Sequence, residues 1–294
     1  MAMSISQLHP LFVGEVSGVD LTQPLSPVDV AAIDAGMARY GVLVFHDQDL
    51  SNQQQIAFTR NFGPLEIARG GNIPMKAEDR RLPETMNDVS NLAKDGQPMA
   101  RDSRQRLFNL ANMLWHSDSS FRAIPAKYSL LSARVVNPVG GNTEFADMCA
   151  AFDDLDEAIK VEIEHYICEH SLMYSRGALG FLDYSDEEKA LFKAVRQSLV
   201  RVHPVSARKS LYLASHAGTI IGMPMPEARI ILRDLNEHAT QPKYVYVHRW
   251  RVNDFVMWDN RQTMHRVRRY DDRYRRDMRR TTVAGEAMTT AQVA

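Results

Sequence analysis

Short apolar segments of strand length, bounded by turn residues and returning after helical interruptions, constrain this chain more than any other feature. Gly41, Val42, Leu43, Val44 and Phe45 form a fully apolar strand, and residues 210–213, 244–248 and 254–258 are the clearest strands of the last hundred residues. The helices between them have marked ends. Ser26 followed by Pro27 opens one that runs to about Tyr40, and Ser51 with Gln54 forms a capping box that opens a second, which Gly63 and Pro64 should end. A third helix covers about 226–238. Residues 67–110 are polar and weakly periodic and predict a long loop with one strand near 88–92, while 115–145 read as strands and turns, tightest at Gly140 and Gly141. A polar, helix-rich insertion occupies about 150–198. This order of elements predicts a mostly β fold with α insertions: a double-stranded β-helix (jelly-roll, cupin-like) core flanked by helices, in a single domain over residues 1–294.

Composition excludes more than it identifies. A hydrophobic fraction of 45% and a charged fraction of 24% do not fit a disordered, collagen-like or membrane-embedded chain. A formal net charge of -1 gives no long-range field to attract nucleic acid or an anionic membrane, so recognition of charge must be local. Cys149 and Cys168 are too few for a disulfide framework and do not have zinc-ribbon spacing. The N-terminus lacks the basic and apolar regions of a signal peptide, and no stretch approaches the ~20 apolar residues that span a bilayer. A cytoplasmic protein with no membrane or nucleic-acid partner is expected.

The chemistry is concentrated in a few polar residues. His116 and Asp118 lie two apart in a segment read as extended, and on a strand residues i and i+2 share a face. His265 follows the strand at 254–258. Two imidazoles and one carboxylate that leave adjacent coordination positions open are the ligand set of non-haem iron(II) oxygenases, whereas structural zinc takes four closed protein ligands. Taken alone, a His-x-Asp pair is also compatible with a merely hydrogen-bonded pair. The same three ligands would equally serve a zinc hydrolase or a protein that holds metal without turnover.

Three motifs, residues 112–121, residues 140–145 and Trp258, Asp259, Asn260 through His265, resemble the taurine dioxygenase family and, within it, the 2,4-dichlorophenoxyacetate dioxygenases. The likeness runs from Leu8 to the arginine-rich tail. It implies Fe(II) held by His116, Asp118 and His265, with 2-oxoglutarate and O2 as cosubstrates. It also implies that Thr143 and Arg276 hold 2-oxoglutarate, and that Arg280 receives the anionic group of the prime substrate, with Asn112, His203 and His216 on the substrate side. Arginine suits both tasks because its planar fork binds a carboxylate bidentately. Without the resemblance, the basic tail would read as a solvated face or a weak nucleic-acid patch. Thr219 and Gln97 stand where these relatives carry histidine and lysine.

The implied reaction hydroxylates the carbon beside the ether oxygen of an aryloxyacetate, giving a phenol and glyoxylate together with succinate and CO2. Sibling substrates would be taurine, alkyl sulfates or other small organic acids. Residues 67–110 and 175–199 are expected to act as lids, and the chain is expected to form a homo-oligomer around a small anionic substrate.

Overall fold

The structure, a computed structural model, describes residues 3–68, 75 and 77–292. In chain order the first elements are β1 (Ser4–Gln7), β2 (Gly14–Ser17), α1 (Pro27–Tyr40), β3 (Val42–Phe45), α2 (Asn52–Arg60), β4 (Asn87–Asp88) and α3 (Arg104–Asn109). Then come β5 (Tyr128–Val135), β6 (Thr143–Asp147), α4 (Met148–Asp153), α5 (Glu157–Ile163), β7 (Ile167–His170), α6 (Leu172–Gly177) and α7 (Asp186–Leu191). The last are β8 (Val195–Ser198), β9 (Val200–Val202), β10 (Lys209–Leu211), β11 (Ala217–Ile220), α8 (Met225–Ala239), β12 (Val245–His248), β13 (Phe255–Asp259), β14 (Thr263–Val267) and β15 (Asp277–Val283).

Seven strands form one sheet in the order β1-β2-β3-β13-β5-β15-β4, antiparallel throughout except between β2 and β3. A three-stranded sheet, β12-β6-β14, lies over its inner face. The strand alternation explains how the two meet. Val42, Val44, Val256, Trp258, Leu131 and Met278 point inward and pack against Phe145 of β6 and Tyr246 of β12. Leu43, Phe45, Phe255, Met257 and Leu130 point the other way, onto Ile33 and Met37 of α1 and Phe58 of α2. β3 is therefore buried on both faces, which is why its sequence is an unbroken apolar run rather than an alternating one. A third cluster covers the outer side of the small sheet, where Ala146 and Met264 meet Leu232 and Leu235 of α8.

The helix starts follow the local chemistry. Ser26 accepts from the Asp29 amide, and Ser51 with Gln54 forms both bonds of a capping box. Several expectations are corrected. α2 stops at Asn61, whose side-chain amide donates to the Phe58 carbonyl, so Gly63 and Pro64 fall beyond the end rather than forming it. The strand expected near 88–92 shrinks to the two residues of β4. The expected insertion at 150–198 contains, besides its helices, strands β7 and β8, of which β7 is the central strand, pairing with β8 on one side and β11 on the other. Residues 115–118 are not a strand: His116 makes a single backbone bridge to His265, and the chain then turns through Ser119 in the left-handed region (φ 57). Among the described residues no helix is long and apolar enough to cross a membrane.

Candidate metal centre and anion pocket

The edge of the small sheet brings the three proposed ligands together. The amide of His116 donates to the His265 carbonyl at 3.0 Å and the amide of His265 returns the bond at 2.8 Å, which sets the two imidazoles side by side with ring centroids 4.2 Å apart. His116 Nδ1 donates to the Leu114 carbonyl at 2.7 Å, leaving Nε2 as the free lone pair. His116 Nε2 lies 3.9 Å from Asp118 Oδ1 and His265 Nε2 lies 3.7 Å from Asp118 Oδ2. One ligand atom from each of the three residues falls within 4.8 Å of the others, and all three side chains are buried.

Protonation states suit a cation. Burial lowers the pKa of His116 and takes that of His265 well below the usual imidazole value, so both rings are neutral. Burial pushes the Asp118 carboxyl up, but the Arg280 guanidinium outweighs it, with help from the Ser129 hydroxyl, and holds it at about 2. Two neutral imidazoles and one carboxylate form a donor set that fits a divalent iron ion.

Asp118 is held from outside the ligand set. Ser129 Oγ donates to Asp118 Oδ2 at 2.7 Å, and the Asp118 amide donates to Asn260 Oδ1 at 3.1 Å. Asn260 Nδ2 in turn donates to Ser129 Oγ at 3.0 Å, and Trp258 Nε1 donates to Asn260 Oδ1 at 3.2 Å. Beyond the ligand, Ser119 Oγ donates to the buried Glu66 at 2.8 Å. Sequence reasoning gave Ser129 and Glu66 no role. The available signal for Ser129 was a serine beside the apolar pair Leu130 and Leu131 in a buried strand, a polar group that burial leaves costly unless it is bonded.

His116, His265, Asn112, Thr143, Arg276 and Arg280 all line one cavity of about 1090 Å³. Thr143 is buried; its Oγ accepts from Trp250 Nε1 at 2.9 Å, which leaves its own proton free to donate. Arg276 is 3% exposed, with its guanidinium 5.3 Å from the Tyr270 ring centre and no carboxylate partner among the described residues. Burial lowers its pKa to about 10, still well above neutral pH, so a cation sits in the wall without a counter-ion. Backbone approach makes room for it: a Cβ on Gly141 would lie 3.2 Å from Arg276 Nη1.

The remaining expected residues divide. Arg280 lines the cavity as expected, but its Nη1 donates to Asp118 Oδ1, an ion pair that the sequence did not signal. His216 is buried with its ring 6.2 Å from that of His116 and its Nδ1 2.9 Å from Ser175 Oγ, beside the cavity rather than in its wall. His203 is not brought to the site. Its Nε2 lies 3.0 Å from Asp259 and its Nδ1 accepts from the amides of Val205 and Ser206, so every polar atom of the ring is used in the core.

Residues 4–282 match the family described as taurine catabolism dioxygenase TauD, TfdA. The chain is 46% identical over 286 residues to an alpha-ketoglutarate-dependent 2,4-dichlorophenoxyacetate dioxygenase of Burkholderia sp. (strain RASC), covering 97% of this chain and 95% of the relative. It is 35% identical to an (S)-phenoxypropionate/alpha-ketoglutarate-dioxygenase of Sphingobium herbicidovorans, over 100% and 99% of the two chains. The crystal structure of AAD-2 in complex with Mn(II) and N-oxalylglycine superposes with a TM-score of 0.96 at 65% identity, covering 98% of this chain and 100% of that one.

Proposed function

Because this chain belongs to the taurine catabolism dioxygenase TauD, TfdA family and is an Fe(II)- and 2-oxoglutarate-dependent dioxygenase, we propose that its prime substrate is an aryloxyacetate such as 2,4-dichlorophenoxyacetate. The carbon beside the ether oxygen is hydroxylated, and the product collapses to a phenol and glyoxylate. One oxygen atom of O2 enters that carbon; the other enters succinate as 2-oxoglutarate loses CO2.

The observation that carries this reading is the pairing of two arginines with the histidine–carboxylate cluster in one cavity. Two anionic molecules need two cationic anchors. In this reading His116, Asp118 and His265 hold the iron, and Arg276 with Thr143 holds the distal carboxylate of 2-oxoglutarate. Arg280 receives the carboxylate of the aryloxyacetate, and Asn112 borders it. Iron, when bound, supplies the oxidising chemistry together with O2 and 2-oxoglutarate. The chain's own work is to bind, orient and exclude water, and burial of the three ligands and of Arg276 serves that end.

The facing seven- and three-stranded sheets support a double-stranded β-helix core within a single domain, residues 1–294. Residues 67–110 and 175–199 are its lids. Val89, Met99 and Leu110 of the first line the cavity, and Ser175 of the second touches His216; positions 69–74 and 76 lie outside the described residues. We place the enzyme in the cytoplasm, as a homo-oligomer acting on a small anion. Succinate and phenol release across a panel of aryloxyacetates, aryloxypropionates and taurine tests the assignment. Turnover of taurine or of a sulfate ester without turnover of any aryloxy acid would overturn it.

A further inference from the structure

Arg280 presents more hydrogen-bonding capacity than an anion anchor alone requires. Its Nη1 donates to Asp118 Oδ1, while its Nε is buried with no hydrogen-bond partner among the described residues. The same side chain lines the cavity that reaches His116 and His265. A guanidinium is a planar fork of five donors, so it can keep one carboxylate on one edge and take a second on another. Ser129 meanwhile holds the other oxygen of Asp118, so the carboxylate does not depend on Arg280 for its position.

We propose that Arg280 engages Asp118 and the anionic group of the substrate simultaneously, and through this shared cation couples metal binding to substrate binding. The proposal rests on the reading of His116, Asp118 and His265 as the metal site and of Arg280 as the substrate anchor. The direction of the coupling follows from charge. An unneutralised guanidinium beside a ligand carboxylate repels a divalent cation and competes for the carboxylate's electron density. A substrate anion on Arg280 cancels that charge, so the metal binds more tightly when substrate is present. By reciprocity the substrate binds more tightly to the metal-loaded protein.

The test is a titration of the full chain with Mn(II), without oxygen, in the presence and absence of 2,4-dichlorophenoxyacetate. In the wild type, substrate should lower the Mn(II) Kd by roughly five- to tenfold. Arg280→Gln, or Arg280→Met as a second neutral variant that keeps the apolar stem, should bind Mn(II) about tenfold more tightly without substrate and show no further shift with it. Arg280→Lys keeps the charge and should stay near the wild-type Kd when substrate is absent. A folded neutral variant whose Mn(II) affinity is unchanged or weaker, or which keeps the substrate-dependent shift, would overturn the coupling. A wild-type shift produced by another organic acid but not by aryloxyacetates would instead overturn the substrate assignment and leave the coupling standing.

Discussion

At the scale of single residues, the cavity separates groups that look alike in sequence. Arg276 and Arg280 are four positions apart and both cationic, yet Arg276 has no carboxylate partner among the described residues, whereas Arg280 has Asp118. Arg276→Ala should therefore weaken 2-oxoglutarate binding and slow turnover of every prime substrate alike. The loss of a buried, charge-assisted contact is on the order of 2–5 kcal/mol. Anaerobic titration of 2-oxoglutarate into the Fe(II)-loaded variant checks this; an unchanged Kd would remove Arg276 from that role. Ser129 acts differently, because its hydroxyl donates to Asp118 and accepts from Asn260. Ser129→Ala leaves the Asn260 amide without that acceptor and Asp118 without one donor. Metal affinity should fall about 10–100-fold, opposite in sign to the neutral Arg280 variants. A Mn(II) titration that gave the same Kd as wild type would show that Asp118 does not need the Ser129 hydroxyl to hold its position.

At the scale of elements, the turn between β5 and β6 sets the geometry of the anion pocket. Gly140 has φ +78, and a Cβ there would lie 2.5 Å from the Arg269 carbonyl oxygen. Gly140→Ala should cost roughly 1–3 kcal/mol of stability, and it should also raise the KM for 2-oxoglutarate, because Gly141 beside it packs on Arg276. A urea transition at the wild-type midpoint would contradict the close approach. Local signals of this kind were legible in the sequence. The double glycine, the serine caps of α1 and α2 and the apolar runs of β3 and β13 each carry their cause within a few residues. The grouping of His116, Asp118 and His265 was suggested by residue type and assigned through the family resemblance, because the extended segment expected to put His116 and Asp118 on one face is a single bridge followed by a turn. What the sequence left hidden depends on distant partners. β7 exists because it pairs with both β8 and β11, and β8 because it pairs with β7, and their short mixed segments look helical or polar in isolation. His203 resembles a site histidine until Asp259 takes its Nε2, and the pairing of Arg280 with Asp118 joins residues far apart in the chain.

At the scale of the whole molecule, the number of buried neutral imidazoles gives the fold an acid limit above the carboxylate range. Burial lowers the pKa of His116, His170, His216, His248 and His265. Once unfolded, each would titrate near 6.5. As pH falls below that value the unfolded chain takes up protons that the folded chain refuses, so stability is complete above about pH 6.5 and declines below it. Asp118 and Asp259 add a later loss. In both, burial raises the carboxyl pKa but a nearby arginine, Arg280 for Asp118 and Arg261 for Asp259, outweighs it, so their contribution is present above about pH 4 and disappears as pH falls through the folded value. His170 isolates the first effect because it lies outside the ligand set. Both ring nitrogens are buried with no partner among the described residues, the ring stacks on Tyr212 at 5.7 Å, and burial takes its pKa down to about 3. Over pH 6.5 to 5 it should account for about one proton, or roughly 2 kcal/mol. His170→Phe keeps a ring against Tyr212 and removes the titration. Its unfolding free energy should therefore fall less steeply than the wild type's over that interval, by about that amount. Urea unfolding at pH 7.5, 6.5 and 5.0 reads the difference directly, and equal slopes for the two proteins would mean that folded His170 takes up its proton over the same pH range as in the unfolded chain.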